Sequence, residues 1–214
     1  MAKVKMSKKS TRIDMAAMCD VAFLLLTFFI MTSTARLPEP VEVSTPASTV
    51  QIKLPDVNIA TVTVADGRTY FGAVGQDTRR IMLERMGERY GLAFTEEEKN
   101  RFSLIESFGV DISELKSFIA LDGADRMKPG VQKGIAIDSL NNQLSDWIQS
   151  AREANIEVQG LLGVEKSKMK DIDIAIKGDA KEDYPTIKKV IDILQKRNKN
   201  TFYLVTGLRS EDDI

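Results

Sequence analysis

The sequence contains no histidine and a single cysteine, Cys19, among its 214 residues. Histidine is the commonest general base and the commonest metal ligand, so its absence removes the side chain on which much acid–base and metal chemistry depends. One cysteine cannot form an intrachain disulfide, so any folded domain must be held together by its core. The chain also lacks a Walker loop, a paired CxxC motif and a nucleophile motif. We therefore expect a protein that is not an enzyme and that holds no metal and no cofactor.

Charge is nearly balanced over the whole chain but unevenly distributed along it. Lysine and arginine number 30 and aspartate and glutamate 31, which gives a net charge of −1 and no reason to expect nucleic acid as a partner. Residues 1–12 carry five basic side chains and no acidic one. This short basic segment is too small for a domain and predicts a cytoplasmic tail.

Directly after this tail, residues 15–34 form an apolar stretch in which Asp20 is the only charged residue. As a helix these residues would extend about 30 Å, the thickness of a bilayer core. We therefore predict a transmembrane helix over residues 13–35. A basic segment before the span, with only Arg36 soon after it, places the N-terminus in the cytoplasm and the bulk of the chain outside.

A cleaved signal peptide is the alternative interpretation of the same region. The basic start, the apolar run 21–31 and the small residues Ser33 and Ala35 fit that pattern. Asp20, however, would then lie at the start of the apolar segment, and the uninterrupted stretch is long enough to cross a membrane. A retained anchor is favoured, and a secreted soluble binding protein remains the alternative.

Asp20 is the candidate functional residue of the span. An ionised aspartate at the centre of such a helix costs about 3 kcal/mol on insertion, so its presence indicates a proton or ion path or a polar contact with another helix. Helical spacing of three, four and seven residues places five others on its face: Ala16, Ala17, Phe23, Leu24 and Thr27. The alanines permit close helix approach, and Thr27 is a candidate second polar contact in the membrane. An aspartate that only reaches the interface is the alternative.

A proline-containing segment, residues 36–58, follows the span. Pro38, Pro40, Pro46 and Pro55 disfavour helix and predict an extended periplasmic linker, within which the alternation of residues 50–54 indicates a short strand.

Strand signals begin and end the remaining domain, residues 59–214. Residues 59–65 are rich in β-branched side chains, and Asp66 and Gly67 predict a hairpin turn to a return strand at residues 69–71. Near the end, residues 172–177 alternate as a strand, Pro185 suits the first turn of a helix, and residues 201–205 form a last strand. This order predicts a small α+β sheet domain with a βαβ unit at its end.

Residues 74–165 separate these two halves and carry helical signals. We expect helices from a cap at Asp77 to Gly91, after a capping box at Thr95, over 111–121 and over 138–153, with a loop at 123–134. Trp147 lies on an apolar stripe and is expected in the core. The fold class is therefore a single transmembrane helix plus an α+β domain that carries a helical insertion.

The run IDMAAMCDVAFLLLTFFIMTST resembles the signature of the ExbD/TolR family of biopolymer transport proteins. That family has a short cytoplasmic tail, one transmembrane helix with an essential aspartate in its first half, and a small periplasmic domain. Asp20 matches that aspartate, whereas Ala17 stands where the family often has proline. Leu54 and Pro55 resemble the start of the family's periplasmic part, and Tyr184 and Pro185 reverse a family Pro-Tyr pair. The resemblance covers residues 13–71 and 172–206.

The resemblance implies an ExbD-like component of an inner-membrane proton-driven motor that energises TonB-dependent transport. Asp20 would carry the protons, and no covalent chemistry is implied. The implied partners are an ExbB/TolQ-type membrane protein, a second copy of the chain in a homodimer, and a TonB-like or TolA-like protein that spans the periplasm. A TolR-like envelope-integrity protein that contacts peptidoglycan is the alternative within the family.

Overall fold

The computed structural model of the chain describes residues 15–33, 39–48, 53–138 and 141–208. It divides into two compact units, Met1–Leu37 and Pro38–Ile214, which we describe separately. The first unit contains one helix, α1, at Met15–Thr32. By length and composition this helix could cross a membrane. The predicted tail at residues 1–12 and both ends of the predicted span lie outside the described residues.

The second unit contains a five-stranded sheet and a separate pair of short strands. Its strands are β1 (Ala47–Ser48), β2 (Ile59–Ala65), β3 (Arg68–Ala73), β4 (Ser107–Phe108), β5 (Asp173–Gly178), β6 (Tyr203–Val205) and β7 (Gly207–Leu208). The order in the sheet is β4-β3-β2-β5-β6. β2 pairs with β3 antiparallel and with β5 parallel, and β5 pairs with β6 parallel. The mixed sheet confirms the predicted fold class.

Six helices accompany the sheet within the described residues: α2 (Gln76–Tyr90), α3 (Glu96–Ser103), α4 (Leu115–Ala120), α5 (Gly123–Arg126), α6 (Gln143–Leu161) and α7 (Tyr184–Lys196). All but α7 belong to the predicted insertion. α7 connects the parallel strands β5 and β6 and completes the predicted βαβ unit, with Pro185 in its first turn as expected. The hairpin between β2 and β3 turns at Asp66 and Gly67, which both have positive φ angles, 53° and 68°. This is the turn that an Asp-Gly pair favours.

The helical insertion is packed into the core of the domain. Trp147 on α6 is fully buried, stacks on Phe102 of α3 at a centroid distance of 6.0 Å and meets the edge of Phe108 at 4.8 Å. Phe108 in turn contacts Phe71 of the central hairpin. This aromatic chain joins α6 to the sheet, so the prediction that Trp147 is a core residue is confirmed.

Several predicted element boundaries are wrong. Helix α2 begins after Gly75, so Asp77 lies inside the first turn and is not the cap. The predicted helix 111–121 begins only at Leu115. The reason is that the Asp111 carboxylate accepts hydrogen bonds from the amide and the hydroxyl of Ser113, which favours a turn at these residues. Helix α6 begins later than predicted because Asn142 caps it, and it also ends later, at Leu161. The capping box at Thr95 is confirmed, since Thr95 and Glu98 bond each other reciprocally.

The structure also differs from the prediction of a loop and from the prediction of a short strand. The predicted loop 123–134 contains the short helix α5. Of the predicted strand at residues 50–54, residues 50–52 lie outside the described residues, and Lys53 and Leu54 are not in a strand.

Part of the proline-containing linker lies against the domain. Glu39 forms an ion pair with Lys177 of β5, and the Ala180 amide donates to the Ser44 carbonyl at 2.8 Å. Strand β1 then pairs in parallel with β7, near the end of the chain. These contacts place residues 39–48 at the end of β5 where its last residue lies.

A second set of contacts ties α6 to the segments around β5 and α7. Asp171, two residues before the start of β5, accepts from Arg152 of α6 at 2.9 Å and from Lys199 at 3.2 Å. Burial alone would raise the pKa of Asp171, but the hydrogen bonds from Arg152 and Lys199 outweigh it and hold the pKa below its usual value. The folded state therefore favours the ionised carboxylate.

Asp146 forms a similar junction one turn after the start of α6. It accepts from Arg89 of α2, from Arg197 after α7 and from the Tyr90 hydroxyl. Burial and this hydrogen bond raise the pKa of Tyr90 to about 12, so the tyrosine remains a donor at physiological pH. Both junctions fasten α6 of the insertion to segments that follow the insertion in the chain.

We predict that Asp171→Asn lowers the free energy of unfolding at pH 7 by about 1 to 2 kcal/mol, because two charge-assisted hydrogen bonds are weakened at a partly exposed site. A carboxylate with a lowered folded pKa contributes stability above its unfolded pKa of about 3.9, and that contribution is lost as pH falls through the folded pKa. The deficit should therefore shrink below about pH 4. Urea unfolding of the full chain in micelles, followed by Trp147 fluorescence, measures it.

Asp192→Asn is the matched control, since Asp192 is exposed on α7 and forms no ion pair within the described residues. It should change stability little at any pH. A deficit for Asp171→Asn that stays constant from pH 7 to pH 3 would contradict the ionic account.

We predict that Ser150→Ala stabilises the domain. Ser150 is fully buried on α6, and its hydroxyl has no hydrogen-bond partner within the part of the chain that the structure describes. Alanine removes the cost of the unpaired group and is a better helix former, so the free energy of unfolding should rise by about 1 to 2 kcal/mol.

The control for this prediction is Ser145→Ala on the same helix. The Ser145 hydroxyl accepts from Arg197 at 2.6 Å, so its removal should destabilise the domain. If both variants lose stability alike, the Ser150 hydroxyl is bonded in the folded protein and the prediction is wrong.

Candidate functional site on the apolar helix

The candidate site is the face of α1 that contains Asp20. Asp20 is the sixth of the 18 residues of this helix, so it lies about 8 Å from one end and about 18 Å from the other. Its carboxylate has no hydrogen-bond or ion-pair partner among the residues that the structure describes. The residues after Asp20 are apolar apart from two threonines, contain neither glycine nor proline, and include good helix formers such as Ala22 and the three leucines 24–26. In an apolar environment a helix also satisfies the backbone hydrogen bonds of this stretch internally. A lone carboxylate is therefore presented on an apolar rod.

Helical geometry aligns Thr27 with Asp20. Seven residues turn through nearly two full rotations, so Thr27 lies within about 20° of the same face and about 10 Å further along the helix. Phe23 and Leu24 lie between them, and Ala16 and Ala17 lie on the other side of Asp20. The small alanine side chains would let a neighbouring helix approach closely beside the carboxylate.

The hydroxyl of Thr27 is bonded within its own helix. Its Oγ1 donates to the carbonyl of Leu24 at 2.9 Å, and Thr32 makes an equivalent bond to Phe28 at 2.8 Å. These bonds make the hydroxyls tolerable in an apolar environment, because no donor is left unpaired. Thr27 can therefore offer a neighbouring helix its oxygen lone pairs but not its proton, unless the internal bond opens.

Every side chain of α1 is exposed within its unit, including those on the faces away from Asp20. Leu25 and Leu26 are 50% and 54% exposed, and Phe28 and Phe29 are 57% and 65% exposed. A continuous apolar surface of this kind marks a contact with lipid or with another protein. The carboxylate then faces a medium in which only a partner can solvate it.

The second unit has no candidate metal site among its described residues. No group of three or more histidine, cysteine, aspartate or glutamate side chains in these residues is placed to hold a metal ion. The free thiol of Cys19 belongs to α1. The described residues of this unit also form an apolar groove at the C-terminal end of α6, lined by Ile156, Leu161 and Met169 among others.

Sequence reasoning did not identify this groove. The pair Leu161–Leu162 directly before Gly163, followed by lysines in the next turns, was the available signal, because exposed leucines at the end of a helix have no core to enter. The carboxylate of Asp20, in contrast, was conspicuous in the sequence.

One comparison with known proteins gives a match. A family model described as "Biopolymer transport protein ExbD/TolR" matches residues 6–208. The match therefore includes the apolar helix, residues 39–48 of the linker and the sheet. It also includes residues 74–165, which the resemblance seen in the sequence did not cover. No curated protein and no solved structure matches the chain. Because the family model spans nearly the whole chain, this protein belongs to the ExbD/TolR family of biopolymer transport proteins.

Proposed function

We propose that this protein is the ExbD-like component of an inner-membrane motor that uses the proton motive force to energise TonB-dependent transport across the outer membrane. The observation that carries the proposal is an aspartate without a partner on an otherwise apolar helix, in a chain of the biopolymer transport family. Asp20 is the proton carrier. A group with this role must change charge inside the membrane, and Asp20 is the only titratable carboxylate of α1.

The electrostatics of the helix favour a carboxylate that alternates between two states. Inserting a helix with an ionised aspartate at its centre into the bilayer costs about 3 kcal/mol of free energy, and the protonated form costs far less. Proton binding therefore determines whether the helix prefers a lipid or a polar environment. One charge that crosses the whole membrane potential releases about 2.3 kcal/mol per 100 mV. Several protons carried in succession can therefore supply the energy for a rotation or displacement.

The proposed partners are inferred from the Asp20 carboxylate, which has no hydrogen-bond or ion-pair partner within the described residues. Helices of an ExbB/TolQ-type protein would supply the polar surroundings that α1 cannot supply itself, and a second copy of the chain would pack against the alanine side of the Asp20 face. The N-terminus lies in the cytoplasm and the domain that begins near residue 38 lies in the periplasm. There the domain passes the work to a TonB-like or TolA-like protein.

Two alternatives use the same observations. The family model covers TolR as well as ExbD, so a TolR-like protein that grips peptidoglycan would carry the same helix and aspartate. A requirement for nutrient uptake identifies the ExbD-like role, and a requirement for envelope integrity during division identifies the TolR-like role. A secreted binding protein would lack residues 1–35 after processing, which the mass of the mature chain decides.

We predict that Asp20→Asn abolishes TonB-dependent nutrient uptake in cells that lack the native copy. Asparagine keeps the size and polarity of aspartate but cannot titrate, so uptake should fall to the level of the empty strain while the amount of protein in the membrane is unchanged. Uptake of a labelled TonB-dependent nutrient and membrane immunoblots are the measurements.

Cys19→Ser is the neighbouring control and should leave uptake near the wild-type level, because Cys19 lies on another face of the helix. Wild-type uptake by Asp20→Asn would remove Asp20 from proton transport and leave it a packing or topology residue.

We predict a smaller effect for Thr27→Val, which keeps the shape of the side chain and removes its oxygen. Loss of one acceptor on the Asp20 face is worth about 1 kcal/mol, which corresponds to a decrease in uptake of about fivefold. Thr32→Val is the matched control, since the Thr32 hydroxyl makes the same kind of internal bond about 120° away from Asp20. Equal effects of the two substitutions would show that the Asp20 face does not need the Thr27 oxygen.

A further inference from the structure

The groove at the end of α6 has the dimensions and the surface of a binding site. Its volume is about 760 Å³, within the range of roughly 300 to 1,000 Å³ that ligand pockets occupy. Ile156 and Leu161 are 47% and 76% exposed on one wall, and Met169 lines the other. Gly160 carries no side chain between them, so the Met169 methyl group lies close to the helix backbone. A mainly apolar groove of this size is left open in the folded domain.

The acidic residues in the groove wall are already neutralised. Glu157 forms an ion pair with Arg85 at 2.7 Å. Asp171 is held by Arg152 and Lys199, which lowers its pKa despite the burial that would raise it. Neither carboxylate is therefore available to a positively charged ligand.

Arg152 is paired with Asp171, but the two lysines of the groove are not neutralised. The side chains of Lys166 and Lys170 line the groove and form no ion pair or side-chain hydrogen bond within the described residues. The backbone of Lys170 is fixed by hydrogen bonds with Gln159, at 2.7 and 2.9 Å. These hydrogen bonds hold the backbone of Lys170 beside α6. The Lys170 ammonium group itself has no hydrogen-bond or ion-pair partner within the described residues. The groove thus combines an apolar floor with two uncommitted positive charges.

The position of the groove relative to strand β5 indicates from which end of the domain a ligand approaches. Asp171 lies two residues before the start of β5, so the groove lies at the beginning of that strand. The docked linker segment meets Lys177, near the end of the same strand. Six residues of strand separate the two ends by roughly 17 to 20 Å. A ligand of the groove therefore meets the domain at the end away from the linker.

We propose that this groove is a docking site for a polypeptide segment of another protein in which apolar side chains are flanked by aspartate or glutamate. The apolar side chains would cover Ile156, Leu161 and Met169, and the carboxylates would pair with Lys166 and Lys170. The proposal concerns a binding surface built by the helical insertion, and it holds whether or not Asp20 carries protons.

A peptide selection tests the docking site without knowledge of the natural partner. The full chain is reconstituted in nanodiscs of zwitterionic lipid and used to select from a display library of random dodecamers, with empty nanodiscs used to remove lipid binders. The expected result is enrichment of peptides with two or more apolar residues flanked by acidic ones. Synthetic copies should bind more than tenfold more weakly to Leu161→Asp and to the double variant Lys166→Glu, Lys170→Glu. Their affinity for the wild-type chain should fall as salt is raised.

The control variants change exposed residues of the same types elsewhere on the domain. Leu104 is 65% exposed at the end of α3, and Lys189 is exposed on α7, so Leu104→Asp and Lys189→Glu should leave peptide affinity unchanged. All substituted residues are exposed, and Trp147 fluorescence checks that each variant is folded.

Three results would overturn the proposal: no enrichment beyond empty nanodiscs, selected peptides without acidic residues, or equal weakening by the control variants. A lipid contact is a further contradicting outcome. It would be recognised if the nanodiscs bind vesicles that contain phosphatidylglycerol and the Leu161 and lysine variants abolish that binding.

Discussion

A carboxylate on a helix with an apolar surface cannot be solvated by that helix, and the proposed function of this protein depends on that constraint. Asp20 has no partner among the described residues, and every side chain of α1 is exposed within its unit. The hydroxyls of Thr27 and Thr32 are satisfied by their own backbone, so the carboxylate is the one group of the helix that demands something from outside. Proton binding removes the demand and a polar partner meets it. A cycle between these two solutions is the physical basis of the proposed motor.

In the second unit, helix α6 is attached to the rest of the domain at several points. The aromatic chain from Trp147 through Phe108 to Phe71 fixes α6 to the sheet. The junctions at Asp146 and Asp171 then bind the same helix to segments far away in sequence. Elsewhere in the unit, the linker segment is attached to β5 through the Glu39–Lys177 ion pair and to β7 through the pairing of β1. Because α6 is held at several points, its apolar end can present a groove of fixed shape to a partner.

Much of this fold was predictable because its signals are local. The Asp-Gly turn, the capping box at Thr95 and the periodicity around Pro185 each depend on a few adjacent residues, and the structure contains all three. The cap at Asp77 and the start of α6 were wrong because several nearby polar residues could serve as caps, and tertiary packing selects among them. Ion pairs such as Arg152–Asp171 join residues that no sequence pattern relates. The groove was missed for the same reason, whereas Asp20 stood out because a charge in an apolar stretch needs no partner to be noticed.

The most direct test of the central claim is proton flux through a reconstituted complex. The chain and its ExbB/TolQ-type partner would be placed in liposomes that contain a pH-sensitive dye, and a potassium diffusion potential would drive protons inward. If Asp20 carries the protons, the wild-type chain gives a potential-dependent flux and Asp20→Asn gives none above the protein-free background, with equal amounts of both complexes in the liposomes. The same flux in wild type and Asp20→Asn would contradict it, because the protons would then cross by a route that does not include Asp20.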